Sequence, residues 1–235
     1  MLVHNDAMKS IIRNLSLPTE FCLVIFICFG LTIAANLRWI SHHVSPVPPT
    51  PANSVIRLNN DDIVVAVVLK VVTLSAVLWI GSIRGWSLAT FGFRLSWKWT
   101  GAGALLFVAF LLVQHLLGSL FRGIFHMAVD FHRASYLTIP FIILVSIVNP
   151  VFEEALEVGY FFHALQRHGL WLTVLASAIF RGFLHLTMGI SGVVFMFAEG
   201  SLHGFVYWRC RQLWPLIIAH ALQMLYSLLV QFLRA

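Results

Sequence analysis

Three carboxylates, Glu153, Glu154 and Glu157, fall within five consecutive residues of a chain that has nine acidic residues in all. They sit in the stretch NPVFEEALEVGYFFHALQRHG, residues 149–169, between long apolar runs. On a helix Glu153 and Glu157 share one face a turn apart, and Glu154 and Glu157 are neighbours at i, i+3. A carboxylate at the centre of a bilayer costs roughly 2.5–3.5 kcal/mol on insertion scales. Three together are tolerable only where they face protein, water or a partner. The remainder of the chain is therefore read as whatever encloses this helix.

That reading requires a membrane, and composition supplies one. Hydrophobic residues make up 60% and charged residues 10%, against about 25% charged in a soluble domain. The apolar runs have helical length and lack the alternation of barrel strands. The expected fold class is an all-α membrane protein, a polytopic bundle of about seven or eight transmembrane helices in one integral domain. The net charge of +6 is spread over loops without a basic block, which points to anionic lipid headgroups and away from nucleic acid. Cys22, Cys28 and Cys210 show neither a disulfide framework nor zinc-finger spacing.

In chain order, Phe21 to Leu37 reads as a first, uncleaved span rather than a signal peptide, because its 20-residue lead is long for one. The proline-rich SPVPPTPANS that follows reads as an extended polar loop. Asp62 to Trp79 is the second span, and Lys70 near its middle reads as a snorkelling or cavity-facing lysine rather than a direct participant. Residues 83–100 carry three tryptophans with Arg84, Arg94 and Lys98, the composition of an interfacial segment. Gly101 to Phe121 is the third span, with His115, and Arg122 to Tyr136 a polar surface connection. After Leu137 to Val148, Pro150 fits the first turn of a new helix from about residue 150 to 167, so that 137–167 is either one kinked span or two elements. Trp171 to Met188, Gly189 to Tyr207 and Trp214 to Leu233 complete the set. With seven spans, Lys9, Arg13, Arg84, Arg94, Lys98, Arg167, Arg209 and Arg211 fall on one side. Arg38, Arg57, Arg122, Arg133 and Arg234 fall on the other, an imbalance that favours a cytoplasmic N-terminus.

The ionisable residues expected at membrane depth in the second half are Glu153, Glu154, Glu157, Arg181, His185, Glu199, His203 and His220. They come from four helices, and the economical arrangement is one shared polar cavity. Three chemistries suit it. A buried glutamate can deprotonate water with a histidine holding that water, while a second histidine stabilises an oxyanion. Carboxylates and imidazoles can also hold zinc or iron, although no HExxH zincin spacing occurs. A proton relay or transport path is the third. Glu199 and His203, at i, i+4, read first as a mutually hydrogen-bonded pair and second as part of the cavity.

The same residues resemble the CPBP family of intramembrane proteases, which includes the type II CAAX prenyl endopeptidases. Its motifs EExxxRG, FxxxH and HxxxN lie on successive membrane helices. Here they read Glu153-Glu154-Ala155-Leu156-Glu157-Val158-Gly159, Arg181-Gly182-Phe183-Leu184-His185 and His220-Ala221-Leu222-Gln223-Met224. The resemblance covers roughly residues 137–230. It implies Glu153 as general base, His185 sharing activation of the water, His220 contributing to the oxyanion hole and Glu154 orienting Glu153. Val158 replaces the family arginine, Arg181 the phenylalanine, and Met224 the asparagine, while Glu157 stands where phenylalanine is frequent. An ion pair between Glu157 and Arg181 is expected, because either charge alone is uncompensated in a dry site. Without a donor at Met224, the oxyanion hole falls to His220 with Gln223 or His203.

The resulting expectation is an N-terminal membrane-spanning part, residues 1–136, and a catalytic core, residues 137–235. Its function is that of an endopeptidase acting near the membrane on a peptide or protein, prenylated or not. It requires no cofactor. One alternative is a catalytically impaired scaffold that binds a membrane partner. The other is a metal-dependent hydrolase holding a divalent ion on Glu153, His185 and His220, joined by Glu157 and His203.

Overall fold

The computed structural model describes residues 2–44, 59–125 and 137–234, and every regular element among them is helical. The elements are α1 (Leu2–Asn14), α2 (Leu17–Val44), α3 (Asn60–Ile83), α4 (Trp97–Phe125) and α5 (Ile139–Glu153). A π-helical stretch (Glu154–Tyr160), α6 (Phe161–Leu165), α7 (Leu170–Leu184), α8 (Gly189–Cys210) and α9 (Trp214–Arg234) follow. The proline-rich stretch SPVPPTPANS lies outside the described residues, as does most of the expected connection from Arg122 to Tyr136.

Among the described residues six helices are long and apolar enough to cross a membrane, fewer than the seven or eight expected. The shortfall is α7. Its 15 residues are apolar on the whole, Arg181 excepted, but at about 1.5 Å per residue they do not reach through a hydrocarbon core of about 30 Å. Val64, Val65, Val68, Leu105, Leu112, Ile143, Leu172 and Ile179 are all exposed on the outside of the bundle, the surface that lipid covers. The protein is an integral, multi-pass membrane protein.

The helix bearing the carboxylates is the centre of the bundle. Phe152, Leu156, Val158, Tyr160 and Phe162 form the core with Val24 and Phe29 of α2, Val77 of α3, and Leu213 and Leu216 near the start of α9. Around it α7 packs on α8, α4 on α9, and α5 on both α3 and α9. A capping box starts α3, in which Asn59 Oδ1 accepts from the Asp62 amide at 2.9 Å and Asp62 Oδ2 accepts from the Asn59 amide at 3.2 Å. Asn60 Oδ1 also accepts from the Thr138 amide at 3.1 Å, tying the start of α3 to the start of α5.

Residues 83–100 differ from the interfacial segment read from their tryptophans. Trp97 is exposed, but Trp86 and Phe91 are buried in the core, tilted ring against ring at 5.2 Å. The segment folds inward because Gly85 and Gly92 take positive φ angles of 81° and 75°, which turn the chain back on itself. Leu213 then donates to the Gly92 carbonyl at 3.1 Å, closing this loop onto the entrance of α9.

Candidate active site

Pro150 does not start a helix. It lies inside α5, and the helix runs on through Glu153. Proline withholds one backbone donor from the ladder, and four residues later the helix widens into the π-turn from Glu154 to Tyr160. Such wide turns recur at functional sites because they re-aim side chains that an α-helix would place in register. All seven residues of this one are buried. Gly159 within it is closely overlaid, since a Cβ there would stand 3.1 Å from both Leu213 Cδ1 and Phe91 Cβ.

Arg181, on α7, is the hub. Its guanidinium Nε donates to Glu157 Oε2 at 2.8 Å, its Nη1 to Glu199 Oε1 at 3.0 Å, and its Nη2 to Glu154 Oε1. Arg181, Glu154, Glu157 and Glu199 are each about 1% exposed or less. The pairing expected between Glu157 and Arg181 is therefore formed, and it extends to two further carboxylates. Close helix approach makes this reachable: a Cβ at Gly200 of α8 would meet Ala178 Cα at 2.9 Å and Arg181 Cδ at 3.3 Å. Ser177 adds a hydrogen bond from its Oγ to the Glu157 carbonyl at 2.5 Å.

The histidines close the far side. His203 Nδ1 lies 3.2 Å from both oxygens of Glu154 and 3.3 Å from Arg181 Nη1. A carboxylate only accepts, so Nδ1–H is assigned as donor to Glu154. Glu199 and His203 thus do not pair with each other, as their spacing suggested; each serves the Arg181 cluster. Gln223 Nε2 donates to the second oxygen of Glu199 at 3.3 Å. His220 bridges the adjacent glutamates, with Nδ1 2.8 Å from Glu154 Oε1 and Nε2 3.7 Å from Glu153 Oε2.

Glu153 stands apart from this network, and Arg181 makes no ion pair with it. Its partners are His220 and Lys70, whose Nζ donates to Glu153 Oε1 at 3.2 Å. With its side chain 11% exposed, Glu153 is the most accessible of the four carboxylates. His185 does not ride a continuing helix to Met188. It caps α7, which ends at Leu184, and a 3₁₀ turn at Leu186–Met188 leads into α8. Its Nδ1 lies 2.9 Å from the Arg181 carbonyl. A carbonyl only accepts, so Nδ1 carries the proton, and in the neutral ring Nε2 keeps its lone pair.

The structure thus brings Glu153, Glu154, Glu157, Arg181, Glu199, His203, His220 and Gln223 into one connected cluster, with His185 at its edge. Met224, at the motif position of an asparagine, packs against a separate apolar group around Ile142 and Leu228. Sequence reasoning missed two polar contributions from the first half. One is the direct contact of Lys70. The other is Asn36, whose Nδ2 donates to the Phe183 carbonyl at 2.6 Å and steadies the end of α7 beside His185. A buried asparagine in an otherwise apolar first span is the signal that could have found the second.

A divalent metal fits poorly on the residues named for it. Among the described residues the group with ligand atoms within 4.8 Å of one another is Glu154, Glu199 and His203, not Glu153, His185 and His220. Lys70 already occupies one oxygen of Glu153. Even the Glu154–Glu199–His203 group already surrounds the Arg181 guanidinium, which fills the role of a cation there.

The bundle gathers acidic and imidazole groups on its central helices. Residues 135–226 match a family model described as "Type II CAAX prenyl endopeptidase Rce1-like". The match spans all three motifs, and over these residues the chain is similar to that family. No match was found among curated proteins or among solved structures.

Proposed function

We propose that the protein is an intramembrane endopeptidase in which Glu153 activates water for attack on a peptide bond near the membrane. The observation that carries this reading is the division of labour among the carboxylates. Arg181 engages Glu154, Glu157 and Glu199, and only Glu153 remains outside its grasp and partly exposed. A general base must reach its water and keep a free lone pair. Glu153 takes the proton, and the His185 Nε2 lone pair helps to hold the water. His220 in its imidazolium form, with Nδ1–H donating to Glu154, offers Nε2–H to the oxyanion on the scissile carbonyl. Glu154 positions His220, and the Arg181 cluster holds the π-turn. The substrate class is a peptide or protein at the membrane, with a prenylated C-terminal peptide as the first candidate from the family description. No metal is required. We place the basic end of the bundle, where Arg84 meets the carbonyls of Ile12, Arg13 and Leu15 and Arg211 meets Gln166, on the cytoplasmic side.

The test is hydrolysis of farnesylated and unmodified peptides by purified protein in lipid, with and without chelator, the products identified by mass. Chelator-resistant cleavage supports the glutamate mechanism, and chelator-sensitive cleavage shifts the site to a metal. A second reading, a non-catalytic scaffold, is favoured by one feature, the Lys70 ammonium seated on Glu153. A folded preparation that binds peptides and cleaves none supports it.

A further inference from the structure

Lys70 belongs to α3, outside the residues that match the family, yet it touches the carboxylate on which the proposed chemistry depends. An ammonium on Oε1 engages a lone pair of Glu153, so that oxygen is not free to take a proton. For Glu153 to accept a proton from water, Lys70 has to let go. The surroundings allow it. The Lys70 side chain is 27% exposed, and its Nζ also lies 5.2 Å from the centre of the Phe152 ring. A recess of about 160 Å³ between α3 and α5 is lined by Lys70, Leu74, Ile147 and Phe152. That recess is apolar, however, and an ammonium released into it loses its counter-charge, which is unfavourable. The penalty is removed when the arriving ligand carries a carboxylate, because one ion pair is then exchanged for another.

We propose that Lys70 is a carboxylate-exchange gate: it masks Glu153 in the resting protein and leaves it for the carboxylate of an incoming peptide, at the C-terminus or on a side chain. Lys70 is then the specificity-determining residue that selects acidic peptides and couples their arrival to release of the base. His220 remains beside the other oxygen of Glu153 when Lys70 departs, so the carboxylate is never without a polar neighbour. No bond is added to the hydrolysis; the proton of water still passes to Glu153. This inference rests on the reading of Glu153 as the base.

The experiment uses three farnesylated peptides of one sequence. The first ends in a carboxylate, the second in a carboxamide, and the third in a carboxamide with a glutamate as its last side chain. Cleavage and equilibrium binding are measured for wild type, Lys70→Met and Lys70→Arg in lipid vesicles. Wild type is expected to favour the acid over the plain amide by about tenfold or more, the worth of one charge-assisted contact. Lys70→Met brings that ratio close to one and raises cleavage of the amide, while Lys70→Arg keeps the preference. The third peptide tells the two carboxylate sources apart: it matches the acid if any carboxylate serves and the amide if the C-terminus is needed. An unchanged acid-to-amide ratio in Lys70→Met overturns the gate. If no protein cleaves any peptide, the reading of Glu153 as base fails, and the binding ratio alone still decides the gate. Lys70→Gln replaces the methionine variant should that one not fold.

Discussion

Two buried ion clusters lie at the two ends of the π-turn, and they are built differently. At the Tyr160 end, Glu20 pairs with Arg84 Nε at 2.5 Å and accepts from the Tyr160 hydroxyl at 3.2 Å. Arg84 Nη1 reaches the carbonyls of Ile12, Arg13 and Leu15. One acid meets one base, and the pair pins α1, the start of α2 and the end of α3 to the central helix. At the Glu153 end, four carboxylates face two permanent cations, Arg181 and Lys70, with three histidines around them. A balanced pair holds a fold together. An excess of acid over base in a dry cavity works against the fold and leaves groups that can exchange protons, which is the property a hydrolytic site needs.

The comparison is broken most severely by removing the hub. Arg181→Met leaves three buried carboxylates without their shared guanidinium. The expected loss exceeds the roughly 3–5 kcal/mol of a single broken buried pair, and it is read as failure to yield a folded protein in detergent. Arg84→Met at the other end strands one carboxylate and should cost about 3–5 kcal/mol. The double variant Glu20→Gln/Arg84→Met should recover most of that in thermal unfolding, because a balanced pair can be removed as a unit. Closing the helix gap is next in size. Gly200→Ala forces Ala178 and Arg181 aside and should cost about 1–3 kcal/mol, with turnover falling alongside stability as the Arg181 cluster shifts. The smallest effect is Tyr160→Phe, which removes one hydroxyl and should lower stability by about 1 kcal/mol without changing the peptide preference. A large loss of turnover in Tyr160→Phe would mean that the two clusters are coupled through the π-turn.

How much of this was legible depends on sequence distance and on what each residue's cost demands. The membrane class, the central carboxylate helix and the Glu157–Arg181 pair all followed from the penalty of placing charge in an apolar span. Neither Glu157 nor Arg181 has a cheaper partner than the other. The site's tie to α3 was not legible in the same way. Lys70 and Glu153 are 83 residues apart, and a long, flexible lysine satisfies its cost equally well by reaching for water. The π-turn was also hidden: Pro150 marks a break in the ladder but does not say whether the chain stops or widens. Trp86 illustrates the reverse error. Tryptophan composition signals an interface, but two glycine turns fold this one into the core. Glu20 drew no reading of its own, because its partner, Arg84, lies in another segment altogether.

The central claim is that Glu153 alone among the clustered carboxylates does chemistry while the others hold the site. Its most direct test is the paired measurement of turnover and thermal stability for Glu153→Gln in lipid, on whichever peptide the wild type cleaves. The substitution is nearly isosteric and touches no bond to Arg181. The account predicts that turnover falls by about 10²–10⁴, the usual worth of a general base, while the protein still folds, losing only the partly exposed pair with Lys70. Turnover that persists in a folded Glu153→Gln protein would contradict it.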